Sequence, residues 1–220
     1  MTTQVMEAVL FDLDGTLVST RRLYLEAYRR AVEPHLDRLP TAEEIIALRP
    51  RAELRFLHDL VPPERYEACL RDFRRVYREL HDTHFGGIYP GVEAMLAELR
   101  RAGVRLGIVT GKSRGSWEVM RATVELGAFD VAIFDDDVAE PKPDPRGILA
   151  ALESVGAAPT AAAYVGDSVS DAEAAAAAGV LPLAALWAKK PEEREAFLER
   201  VRPFGARAVA TPRELLALVL

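Results

Sequence analysis

Met6-Glu7-Ala8-Val9-Leu10-Phe11-Asp12-Leu13-Asp14-Gly15-Thr16 is the stretch on which the fold turns. A short, nearly continuous apolar run with no polar face reads as a strand covered on both sides. It stops at two carboxylates spaced two residues apart, and Gly15 then permits a sharp turn. Runs of the same kind recur at 104–110, 131–134, 162–166 and 181–186. Between them lie helices with readable ends. Pro90-Gly91 opens one that Gly103 closes, Gly127 ends the next, and Ser170-Asp171-Ala172-Glu173 has capping-box spacing ahead of an alanine run that stops at Gly179. A last helix, over about 211–220, is expected to turn Leu215, Leu216 and Val219 inward. Strands alternating with helices of this length predict an α/β protein with a parallel sheet.

The segment 18–88 breaks that rhythm. Its apolar residues fall at helical spacing (Leu23, Ala27, Ala31; Leu54, Leu57, Leu60; Cys69, Phe73, Val76, Leu80), which predicts an all-helical insertion directly after the first strand. Phe85-Gly86-Gly87-Ile88 supplies glycines that a hinge could use at its far end.

Composition is that of a soluble globular chain: 220 residues, half of them apolar and 28% charged, with 14 Gly and 14 Pro. It excludes a disordered tail, a collagen-like repeat and a disulfide scaffold. The lone Cys69 cannot form an internal disulfide. The first apolar run is too short to span a membrane and is broken too early for a signal peptide, so a cytoplasmic location is expected. Net charge is −6 and predicts no nucleic-acid partner. Segment 18–88 holds 13 Arg against 12 acids, a balance of +1, so the remainder carries −7. All four histidines (His35, His58, His81, His84) lie there too, where a polar helical surface accounts for them.

Ligands of open parallel sheets gather at the carboxyl ends of the strands. After the first predicted strand come Asp12 and Asp14, and after the second Thr110-Gly111-Lys112. Beyond the third, Glu140-Pro141-Lys142-Pro143 holds one lysine in a stiffened backbone. After the fourth come Gly166-Asp167-Ser168-Val169-Ser170-Asp171. Singly, each is ordinary turn or cap chemistry. Together, after successive strands of one sheet, they supply acids for a cation, a hydroxyl and one fixed positive charge, an inventory that fits phosphoryl transfer.

In this order and at these positions the four elements resemble the signature of the haloacid dehalogenase superfamily, over about residues 6–180. The resemblance implies a Rossmann-like core, 1–17 and 89–220, with a helical cap domain over 18–88. It implies that Asp12 is a nucleophile that becomes an aspartyl-phosphate and that Asp14 is the general acid and base. It further implies that Thr110 and Gly111 hold the phosphoryl group and that Lys142 balances its charge. Asp12, the Asp14 backbone carbonyl and Asp167 would hold Mg²⁺, with Asp171 orienting the site.

Two departures stand out: Ser19-Thr20 where many relatives have Asp-Ser, and Gly111 where Asn is frequent. The presence of Asp14 argues against dehalogenation, which needs no protonated leaving group. The four lysines (Lys112, Lys142, Lys189, Lys190) all fall outside the insertion, which argues against phosphonatase chemistry. Thr110-Gly111-Lys112 is similar to phosphoglycolate phosphatases and pyrophosphatases, so the expected function is Mg²⁺-dependent hydrolysis of a small phosphorylated metabolite. A β-phosphoglucomutase-like mutase and an inactive phosphate-binding regulatory protein are the alternatives. Lys112, Arg49 and Arg51 are the candidate cations for a second anion on the substrate. The expected assembly is a monomer or weak homodimer, with Trp117 and Trp187 filling core.

Overall fold

The computed structural model of the protein describes residues 5–50 and 52–220. Strands β1 (Ala8–Phe11), β2 (Arg105–Val109), β3 (Val131–Ile133), β4 (Ala162–Gly166), β5 (Leu181–Ala185) and β6 (Arg207–Val209) form one sheet. Its order is β3-β2-β1-β4-β5-β6, with every neighbouring pair parallel. The α-helices are α1 (Arg21–Leu36), α2 (Ala42–Ala47), α3 (Glu53–Leu60), α4 (Tyr66–His84), α5 (Val92–Arg101), α6 (Arg114–Arg121), α7 (Arg146–Val155), α8 (Val169–Ala177), α9 (Pro191–Val201) and α10 (Pro212–Val219). The architecture is α/β, as the alternating pattern predicts. None of these helices is long and apolar enough to cross a membrane.

Period-two alternation divides each central strand between two cores. Val9 and Phe11 of β1, with Ala163 and Val165 of β4, pack with Met95, Leu96 and Leu99 of α5 and Leu215 and Val219 of α10. Ala8, Leu10, Ala162 and Tyr164 point the other way, against Ile148, Ala151 and Leu152 of α7 and Ala174 and Ala175 of α8. Fully burying each large apolar side chain contributes ~1.5–3 kcal/mol, and β1, like β4, is buried along its whole length. Strand order reverses at β1, whose neighbours β2 and β4 are reached in opposite directions, and this opens a crevice at its carboxyl end.

Helices α1–α4 build a separate core in which Tyr28, Phe56, Phe73 and Tyr77 interlock; Tyr28 and Phe73 stack with centroids 5.1 Å apart. The chain enters and leaves this bundle side by side. The Ser19 amide donates to the Gly87 carbonyl (2.9 Å), and the Gly86 amide returns to the Ser19 carbonyl (2.8 Å). Next to this crossing, buried His81 stacks on Phe85 at 4.7 Å. Burial holds the imidazole below its ordinary value, against the pull of Asp82. The unfolded chain therefore binds a proton that the folded chain refuses, so stability falls as pH drops through about 6.5, the unperturbed histidine value. Thermal melts between about pH 7.5 and 5.5 should show wild type losing more stability than His81→Phe; equal losses would place the acid sensitivity elsewhere.

Several elements depart from the sequence reading. The helix after β2 ends at Arg121 rather than at Gly127, because the Thr123 hydroxyl bonds back to the Met120 carbonyl at 3.0 Å. Gly127 is needed for a different reason: its backbone is left-handed (φ +75°), and the Arg100 guanidinium lies over it, donating to the Leu126 and Ala128 carbonyls on either side. The capping box of α8 is made by Ser168 and Asp171, two residues earlier than the spacing predicts, because Ser168 alone is extended. Leu216 is only half-buried. Helix α9 and strand β6 lie outside the predicted pattern.

Candidate active site

A cleft of about 580 Å³ lies at the carboxyl ends of β1, β2 and β4, roofed by residues of α1, α3 and the α2–α3 loop. The loop after β1 is fastened from two sides. The Leu13 carbonyl accepts the Leu17 and Val18 amides, and the Trp187 indole N–H donates to the Thr16 carbonyl at 2.8 Å. Trp187 thus holds the loop that carries both leading acids, besides packing against the core. Gly15 has φ +85°, and a Cβ on it would lie within 2.6–2.7 Å of the Asp167 carboxylate. No side chain fits there, so the β1 loop and Asp167 close on one another.

Asp12 is buried and accepts from the Lys142 amine at 2.8 Å. The same amine donates to Asp171 Oδ1 (2.6 Å), the Tyr164 hydroxyl (2.8 Å) and the Val109 carbonyl (3.1 Å). Burial alone would depress Lys142, but the charges of Asp12 and Asp171 overcome it and hold the amine well above its ordinary value. Asp12 is pushed up to about 7, first by burial and then by the Asp171 and Asp167 charges, with Lys142 opposing. A carboxylate made this unfavourable is one that a cation or an electrophile would relieve.

Asp12, Asp167 and Asp171 each bring a carboxylate oxygen within 4.8 Å of the others, a donor set of hard oxygens that fits a divalent cation. Asp171 is already engaged at both oxygens, by Lys142 on one side and by the Ser168 amide (2.9 Å) and hydroxyl (2.7 Å) on the other. All three line the cleft, but Lys142 meets only Oδ1 of Asp12 and Lys189 only Oδ2 of Asp167, so each of those two has its other oxygen clear of these amines. Asp167, raised by burial, accepts from Lys189 at 2.6 Å. Lys189, which the sequence reading does not single out, sits over the Phe197 ring of α9. Its signal was hidden because α9 itself was not foreseen. Thr110 is buried, with its hydroxyl accepting the Lys112 amide at 3.2 Å, and both Thr110 and Gly111 line the cleft.

Lys112, expected to meet a second anion on the substrate, lines the cleft with its amine engaged by protein groups. Its side chain is fully buried, and its amine donates to both Asp14 oxygens (3.0 and 3.2 Å) and to the Tyr24 hydroxyl (2.6 Å). The reason is Glu53, a buried carboxylate of α3 that the sequence presents as one more helical acid. It accepts from the Tyr24 hydroxyl (2.8 Å), the Ser116 hydroxyl (3.0 Å) and, closely, the Ser113 hydroxyl. Burial raises Glu53 above the usual carboxylate range despite Lys112 and these bonds. Arg49 lines the cleft in a left-handed conformation (φ 52°) at the end of α2, and Arg200 of α9 lines it as well. Arg51 lies outside the described residues.

The model of the haloacid dehalogenase-like hydrolase family matches residues 9–185. Pyrophosphatase PpaX of Bacillus velezensis is 32% identical over 195 residues, covering 86% of this chain and 88% of that protein. Among solved structures, a Lactobacillus plantarum protein named "putative phosphoglycolate phosphatase" superposes with a TM-score of 0.79 at 28% identity, covering 97% of this chain and 99% of that one. CbbY of Rhodobacter sphaeroides, solved with phosphate, gives 0.72 at 26% identity over 82% and 86% of the two chains. The chain belongs to the haloacid dehalogenase-like hydrolases. Within that family it is an enzyme of the phosphatase type.

Proposed function

We propose that this enzyme is a Mg²⁺-dependent phosphatase that hydrolyses a small phosphorylated metabolite, phosphoglycolate-like or pyrophosphate, through an aspartyl-phosphate on Asp12. The observation that supports it best is the pairing of buried Asp12 with Lys142 at 2.8 Å beside Asp167, with Asp14 two residues along the same loop. Asp12 and Asp167, with the Asp14 backbone carbonyl, would hold the cation, which when bound neutralises charge on the phosphoryl oxygens. One Asp12 oxygen attacks phosphorus while the bond to the leaving oxygen breaks. Asp14 gives that oxygen its proton, then takes one from the water that attacks the acyl-phosphate, which returns Asp12 and releases phosphate. Thr110 and the Gly111 N–H hold the non-bridging oxygens, and Lys142 offsets the negative charge gathered on nucleophile and phosphate.

With Lys112 facing Asp14, a second anion on the substrate falls to Arg49 at the cleft wall. Arg49→Ala should raise KM for pyrophosphate or phosphoglycolate about tenfold or more, the equivalent of one charged hydrogen bond, and leave p-nitrophenyl phosphate unaffected. Phosphate release from all three compounds, with Mg²⁺ and with the metal chelated, checks the whole reading. Cation-dependent turnover favouring the two substrates that carry a second anionic group supports it. No release from any would favour a phosphate-binding protein, and transfer of the phosphoryl group between sugar positions would favour a mutase.

A further inference from the structure

The buried cluster of Lys112, Tyr24 and Glu53 joins the helical insertion to the sheet at the acid expected to protonate the leaving group. Lys112 comes from the loop after β2, Tyr24 from α1 and Glu53 from the first turn of α3. Lys112 and Glu53 are each 1% exposed. The chain of bonds is continuous: Asp14 accepts from Lys112, Lys112 also donates to the Tyr24 hydroxyl, Tyr24 donates to Glu53, and Glu53 accepts from Ser113 and Ser116 at the start of α6. The α3 terminus is fastened to the sheet side as well, since the Glu53 amide donates to the Gly111 carbonyl (2.8 Å) and the Leu54 amide to Asp135 (2.8 Å).

Such a cluster is a poor way to make a protein stable. Burying a lysine and a glutamate beside a partly buried Asp14 costs more in lost hydration than apolar side chains of the same volume would, and replacing buried ion pairs by packed apolar residues is often neutral or favourable. Its position explains its presence. Two of its three members are supplied by the insertion, so the amine that grips both oxygens of Asp14 is itself held only when α1 and α3 are docked on the sheet. Tyr24 and Glu53 therefore make the placement of Asp14 conditional on a closed cleft.

We infer that Lys112, Tyr24 and Glu53 are positioning residues that couple docking of the helical insertion to the placement of the Asp14 carboxylate at the leaving-group oxygen. The inference rests on the acid–base role of Asp14 in the proposed phosphatase reaction. A misplaced acid harms only those leaving groups that need a proton, which separates this role from a merely structural one. Misplacement of a reacting group by about 1 Å costs up to ~10²-fold.

The test compares glycerol 2-phosphate, whose alkoxide leaves only when protonated, with p-nitrophenyl phosphate, whose phenolate leaves unaided. Tyr24→Phe and Glu53→Gln should lower kcat for glycerol 2-phosphate roughly 10- to 100-fold with KM little changed, and lower kcat for p-nitrophenyl phosphate about threefold at most. Lys112→Met should show the same split more strongly. Where it folds poorly, Tyr24→Phe, which removes a single oxygen, decides the matter. Equal losses on both esters, or none on either, with wild type active on both, would overturn the positioning role alone. Wild type inactive on both esters with Mg²⁺ would overturn the phosphatase reading and this inference with it.

Discussion

Asp12→Asn is expected to abolish turnover while leaving the protein at least as stable as wild type. The substitution keeps the shape of the side chain and removes both the proposed nucleophile and a charged oxygen proposed to hold the cation. The expected loss in kcat is at least ~10³-fold, the scale seen when an essential covalent catalyst is removed. Stability should move the opposite way, and the sign follows from the carboxyl group's environment. Its folded pKa is pushed up to about 7 from the ordinary 3.8. The folded state therefore prefers the protonated form, and stability is lost as pH rises from the lower value to the higher and stays lost above it. At about pH 8 without divalent cations, an uncharged asparagine removes that penalty, and a gain of ~1 kcal/mol corresponds to about 2–4 °C in Tm for a chain of this size. Kinetics and a melting curve on one preparation check both halves. Retention of a tenth of wild-type turnover would remove Asp12 from the role of nucleophile, and a lower Tm would show that its charge supports the fold.

Lys142→Met should lose both activity and stability, and the contrast with Asp12→Asn is informative. Lys142 is the cation between Asp12 and Asp171, and the Asp171 side chain is only 2% exposed. Methionine fills the space but leaves two buried carboxylates facing each other without a counter-charge. Breaking a buried pair by removing one partner costs ~3–5 kcal/mol, or roughly 6–20 °C in Tm at this chain length. Turnover should fall by several orders of magnitude, since charge neutralisation is the main resource in phosphoryl transfer. The double variant Asp12→Asn/Lys142→Met should recover part of the lost stability, because the residues are in contact and their effects are not additive. A Tm for Lys142→Met within about 2 °C of wild type, well under the cost of a broken buried pair, would show that water or a rearranged side chain replaces the amine.

The four loops after β1, β2, β3 and β4 were legible because each rests on local patterns: an apolar run that ends, and a carboxylate, hydroxyl or lysine directly after it. Parallel pairing then brings the ends together without further information, which is how Asp12, Thr110, Lys142 and Asp167, far apart in the chain, come to line one cleft. The helical insertion was legible for the same reason, since its apolar spacing at three and four residues is a local property. Strand β6 was not. It is three residues long with two of them exposed, so its only strong cue is the neighbouring β5, to which it pairs from Leu183↔Arg207 to Ala185↔Val209.

The direction in which Lys112 points was also beyond the sequence. Its type and its place after β2 mark it as a cation near the site, and a substrate anion was a reasonable partner. Its actual partners, Asp14 and Tyr24, lie 98 and 88 residues away. Glu53, which bonds Ser113 across 60 residues, carries no mark in the sequence that separates it from the solvated acids around it. Sequence alone thus determined which strands end in chemistry and which chemical groups stand there, because periodicity and strand-end position are short-range properties. Only the tertiary structure decided which charges meet inside the protein and which face the cleft, because that depends on how α1 and α3 dock over the sheet and on the hydration each buried charge must give up when they do.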